Sequence, residues 1–212
     1  MALVGLLLCA APVSAYSLCC QWEPSFWCPA ERFGAGPTIP VDVDPNGYVY
    51  APPERVLADV TEAIRIWNTE GGTSLRLELR DVIVDDGAMA RADCRIRVVA
   101  RTSETGATGS VGACGRSTIF TKYDTNPYVQ YSDLSTLRGA VVMMRHNNSA
   151  FAASSALIAG VLHEVGHALG LEHAETGVMH YAGNRGYVGP DAAAGMRALY
   201  GQPEGPYRVR VN

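Results

Sequence analysis

His163-Glu164-Val165-Gly166-His167-Ala168-Leu169-Gly170-Leu171-Glu172-His173 places three of the chain's five histidines within eleven positions. Imidazole suits zinc, and a catalytic zinc takes three protein donors while keeping one position open to water. His163 and His167 are four residues apart, so on a helix both side chains leave one face about one turn from each other and can hold a single ion. A helix that ran on would carry the third donor away. Gly170 solves this, because glycine adopts positive φ at a helix end and turns the chain back, bringing His173 to the same ion. Glu164, next to the first ligand, is then placed beside the bound water and off the metal. It can take the water's proton and pass it to a leaving amine. A purely structural site would be closed by a fourth ligand and would have no use for Glu164.

These residues need a helix beneath them. From Ser154 on, Leu157, Ile158, Val161, Leu162, Val165, Ala168 and Leu169 form a wide apolar face at helical spacing. An earlier helix opens at Pro52-Pro53, repeats Val56, Leu57, Val60, Ala63, Ile64 and Trp67 along one stripe, and ends at Gly71-Gly72. A third, Asp191 to Tyr200, follows Gly189-Pro190 and stops at Gly201. Strands are expected at Thr38 to Val43, which runs into the turn Asp44-Pro45-Asn46-Gly47, and around Leu75, Leu77 and Leu79, which alternate with Arg76, Glu78 and Arg80. Arg95 to Ala100 alternates likewise, and Ala140 to Met144 is the continuous apolar run of a strand covered on both faces. Ser117 to Tyr123 reads as an edge strand and Asp124 to Arg138 as a polar surface loop. The order of elements describes an α+β domain.

With 212 residues, 48% hydrophobic and 18% charged, the chain can bury the core of one ordinary domain. Its formal net charge of -4 offers no basic face for nucleic acid. Residues 1–15 read as a secretory signal peptide: Ala2 to Ala11 is apolar and too short to span a bilayer, and Val13-Ser14-Ala15 is a small-residue cleavage site. The positively charged start usual in such signals is missing. No later stretch is apolar enough to form a membrane span. Residues 16–36, rich in aromatics, Pro and Gly, form an irregular N-terminal segment or short pro-segment ahead of a domain at 37–212. Secretion, with the periplasm or cell surface as alternative destinations, suits the remaining cysteines. The favoured pairs are Cys94 with Cys114, and Cys28 with Cys19 or Cys20, leaving one cysteine over. A Cys94 to Cys114 bridge would stabilise the fold by roughly 3 kcal/mol. The pair Asp42 and Asp44, and the run Asp85-Asp86-Gly87, offer oxygen ligands to calcium or form solvated turns.

The histidine run matches the HExxHxxGxxH signature of the metzincin metallopeptidases, and Gly177-Val178-Met179-His180-Tyr181 resembles their Met-turn. The strand Thr38 to Val43 with its turn, the Trp67-Asn68 helix end, and Asp191 to Gly201 are similar to matrixin catalytic domains. The resemblance covers residues 37 to 201, most strongly 155 to 201. It implies a zincin-like fold: a five-stranded twisted mixed sheet, an active-site helix, a second long helix and a C-terminal helix. It implies one catalytic zinc on His163, His167 and His173, Glu164 as general base, and Met179 packed beneath the metal. It also implies a peptide substrate lying antiparallel to the edge strand, and together with the signal peptide the expectation is a secreted, monomeric endopeptidase. Two other classes compete with this reading. A zinc-binding interaction protein without turnover would not need Glu164, and a hydrolase of non-peptide amides is disfavoured by the Met-turn.

Departures from the matrixin pattern set limits on the resemblance. Ala174 stands where Ser or Asp is usual, and only five residues separate His173 from Met179. Met179-His180-Tyr181 is closer to astacins and serralysins, whose tyrosine approaches the zinc and helps stabilise an oxyanion; Tyr181 takes that role or packs in the pocket wall. With only His146 unassigned, the matrixins' second, structural zinc has no ligand set. Asp191 opens the last helix, and in the family an aspartate near there can pair with the mature N-terminus.

Overall fold

The computed structural model describes residues 32–33, 38–87, 95–102, 109–116, 128–130, 136–171, 173–180, 186–201 and 208–210. Along them run β1 (Arg32–Phe33), β2 (Thr38–Val43), α1 (Pro53–Glu70), β3 (Arg76–Val82), β4 (Ile96–Arg101) and β5 (Gly109–Arg116). β6 (Tyr128–Gln130), β7 (Thr136–Arg145), α2 (Ser154–Ala168), α3 (Gly189–Tyr200) and β8 (Arg208–Arg210) follow. Short 3-10 helices at Ser149–Ala152 and Gly177–Met179 lead into α2 and precede α3.

β7, β4, β2 and β3 lie side by side in that order, all parallel. Parallel neighbours need a long crossover, and α1 supplies it between β2 and β3. The register sets apolar residues across from one another: Ile39 faces Leu77, Val41 faces Ile96, and Val98 faces Val142. All of these are buried, as expected for strands covered on both faces. Four strands make this parallel sheet, where five were expected for the whole. β7 also carries antiparallel β5, from Gly109 opposite Met144 to Arg116 opposite Thr136, and a two-residue parallel pairing with β1. β6 and β8 form a separate antiparallel pair.

α1 begins where the sequence requires, with Pro53 in the first turn, where a missing N–H costs nothing. Its stripe Val56, Val60, Ala63, Ile64 and Trp67 is buried, each large side chain contributing about 2 kcal/mol. At its end the Asn68 carboxamide makes two 2.8 Å bonds to the Leu77 backbone, fastening the helix to β3. α2 is apolar on nearly every side and accordingly buried, packed against α1, β5 and β7. α3 starts two residues earlier than expected, at Gly189. Among the described residues no helix is long and apolar enough to cross a membrane.

The expected strand at 117–123, residues 1–15, Cys19, Cys20, Cys28, Cys94 and Tyr181 lie outside the described residues. The loop expected at 124–138 contains β6 and the first residues of β7. Asp42, Asp44 and Asp85 each accept hydrogen bonds from neighbouring groups. Asp42 accepts two 3.0 Å contacts from Arg95, which also reaches Asp81 at 2.8 Å. Asp85 accepts from two nitrogens of Arg101, and Asp44 accepts from Asn46 and from the Asp85 N–H.

Candidate metal centre

α2 delivers His163 and His167 on one face, and the chain then reverses at Gly170, where φ is +96°. The reversal is a Schellman turn: Leu171 N–H bonds the Gly166 carbonyl at 3.0 Å, and Gly170 N–H bonds the His167 carbonyl at 2.9 Å. It does more than turn the chain. It aims the Leu171 carbonyl at His167, whose Nδ1 lies 2.7 Å from it. The Val178 carbonyl, in the 3-10 helix Gly177–Met179, stands 2.7 Å from Nδ1 of His163 in the same way. A carbonyl only accepts, so each Nδ1 carries the hydrogen and each Nε2 keeps its lone pair for a metal.

Those two Nε2 atoms are 3.2 Å apart. Two nitrogens bound to one tetrahedral zinc would be about 3.3 Å apart, given zinc to nitrogen bonds of about 2.05 Å. His173 completes the group, and one nitrogen from each of the three rings lies within 4.8 Å of the others. Among the described residues this is the one cluster of three or more His, Cys, Asp or Glu side chains able to share an ion. Lone pairs facing each other at this distance repel, so the donor set fits a cation between them. His163 is buried, His167 half-buried and His173 exposed, so the group opens to solvent on one side. Burial, with the neighbouring imidazoles, lowers His163 to about 4 against the opposing pull of the Val178 carbonyl. Burial also lowers His167.

Glu164 is 4% exposed, on the same turn as His163. Its Cγ lies 3.3 Å from where a Cβ would stand on Gly109, the first residue of β5. The site therefore adjoins the antiparallel strand at 109–116. Met179 is buried, and its sulfur would be 2.3 Å from a Cβ on Gly166. A glycine in a helix interior costs stability, so Gly166 was a readable sign of close approach, although not of what approached.

The loop returning from His173 is fastened at both ends. Ala174 N–H bonds the Met179 carbonyl at 2.9 Å, and the Thr176 hydroxyl donates to Asp191 at 2.5 Å, in the first turn of α3. Gly177 and Gly189 touch so closely that a Cβ on Gly177 would lie 2.3 Å from the Val188 carbonyl oxygen. The orienting carbonyls of Leu171 and Val178 were missed by sequence reasoning, because main-chain atoms leave no mark on residue type.

No protein-family model matches the chain, and no curated protein matches it. Among solved structures the chain is similar to high choriolytic enzyme 1 (HCE-1), a hatching enzyme zinc-protease from Oryzias latipes (Medaka fish). The identity is 19% and the TM-score 0.35. The match covers 74% of this chain and 54% of that one, so the chain spans about half the length of that structure.

Proposed function

We propose that the chain is a secreted, zinc-dependent endopeptidase of metzincin type, acting as a monomer on protein or peptide substrates. The observation that carries this reading is the convergence of three imidazoles, two with Nδ1 already committed to carbonyls, beside a buried glutamate.

His163 and His167 would hold the ion through Nε2, and His173 would be the third donor. When bound, zinc would supply Lewis acidity toward a scissile carbonyl and lower the pKa of water there. Glu164 is the carboxylate that would accept a proton from the attacking water and return it to the departing amine. Burial keeps Glu164 away from competing solvent, and the two carbonyls keep the imidazoles in one tautomer. β5 pairs with β7 and comes close to Glu164 at Gly109, and an extended peptide is proposed to pass along it there. Tyr181 is proposed to assist the developing oxyanion, as the Met-His-Tyr sequence suggests.

The test is hydrolysis of a quenched peptide library by wild type, Glu164→Gln and chelator-treated protein. Turnover should fall by about 10²- to 10⁴-fold in Glu164→Gln while zinc content stays at one per chain. Folded wild type that holds one zinc and cleaves nothing would favour the zinc-binding interaction protein.

A further inference from the structure

Trp67 sits in the last turn of α1, 4% exposed, and its indole N–H donates to the carbonyl of Leu162 at 3.0 Å. That carbonyl belongs to the residue before His163. A buried tryptophan needs some acceptor for its N–H, but this one finds it on the helical turn that carries the first ligand and Glu164. The ring makes a second contact with the same turn. A Cβ on Gly166 would stand 3.1 Å from Cζ2 of Trp67 and 2.3 Å from Sδ of Met179. Trp67 and Met179 therefore both pack against the Cβ position of Gly166, the one residue of that turn without a side chain. The chain of contacts returns to its start, because the residue before Met179 is Val178, whose carbonyl fixes Nδ1 of His163.

We infer that Trp67 is a positioning residue for the metal centre, clamping the turn Leu162 to Gly166 against Met179 so that His163 and Glu164 hold their places. This rests on the zinc reading proposed above. α1 then does more than cover the sheet, since its last turn fixes the height of the ligand-bearing turn of α2. Nothing in the ligand motif signals this, because the clamp joins residues far apart in the chain.

The experiment compares Trp67→Phe, which keeps aromatic bulk and removes the N–H, with Ile66→Val, which trims another buried side chain of α1. Zinc dissociation constants are read by competition with a chromophoric chelator, the d–d spectrum is recorded on Co²⁺-loaded protein, and Tm is measured on metal-free protein. Trp67→Phe should weaken zinc about three- to tenfold and shift the Co²⁺ spectrum. Ile66→Val should lower Tm and leave zinc affinity and spectrum as in wild type. In a peptide assay, kcat of Trp67→Phe should fall with KM within about twofold. Zinc affinity within twofold of wild type and an unchanged Co²⁺ spectrum in Trp67→Phe would overturn the inference. So would an equal loss of zinc affinity in the two variants at equal loss of Tm. If Trp67→Phe does not fold, Gly166→Ala presses on the clamp from inside, and wild-type zinc affinity there overturns it equally. Wild type that binds zinc but cleaves no peptide removes the peptidase reading and leaves the zinc measurement to decide on Trp67; wild type that takes up no zinc removes both.

Discussion

At the scale of single residues, Gly170 and His163 show how the site is set. Gly170, at φ +96°, makes the reversal that brings His173 back. An L-residue there is strained by about 1–2 kcal/mol, and the Schellman bonds that aim the Leu171 carbonyl would loosen with it. Gly170→Ala should therefore lower Tm and weaken zinc together, as thermal unfolding and chelator competition would show. His163 gives a pH dependence with a definite sign. Burial holds its folded pKa at about 4, below the ordinary 6.5, so the unfolded chain takes up the proton first as pH falls. Its contribution to metal-free stability is fully present above pH 6.5, declines below it, and is gone once pH has fallen through 4. The loss is on the order of 3 kcal/mol across that window. Denaturant titrations of metal-free protein should show it, and His163→Gln should flatten it.

At the scale of elements, the contact between the Met-turn and α3 matters most. A Cβ on Gly177 would meet the Val188 oxygen at 2.3 Å and the Gly189 Cα at 2.9 Å, backbone atoms that cannot swing aside. Gly177→Ala should cost about 3 kcal/mol and loosen the Val178 carbonyl from His163. Gly87→Ala is the control, since it shares a positive φ but has nothing within 4 Å of its Cβ position. Equal Tm losses in the two would reduce the effect to backbone strain. The same elements show what the sequence could reveal. α1 and α2 were legible because continuous apolar stripes lie between Pro and Gly signals, and β2 because its turn was plain. β5 was not, since Gly109, Gly112 and Gly115 leave no alternation and Val111 is its sole β-branched residue. The first residues of β7 read as polar loop, yet their backbone pairs with β1 and β5. The histidines were written in the motif, whereas the carbonyls that orient them and the close approach of Met179 to Gly166 exist only once distant segments meet.

At the scale of the whole molecule, the candidate centre draws on pieces from distant parts of the chain. α2 carries two ligands, the returning loop carries the third, α3 anchors that loop through Asp191, and α1 reaches the ligand turn through Trp67. An ion bound to the folded chain alone should therefore stabilise the fold as a unit. At a hundred times its dissociation constant the gain is about 2.7 kcal/mol, which for a chain of this size raises Tm by roughly 5–10 °C. Calorimetry with and without a chelator would measure it. Glu164→Gln should keep the full rise, because Glu164 is proposed to move a proton and not to hold the ion. His167→Gln should lose most of it, because it removes one of three donors and leaves His163 facing an empty side of the triangle. A rise that persists in His167→Gln would move the ion to another set of side chains and, with it, remove the ground for assigning Glu164 a catalytic role.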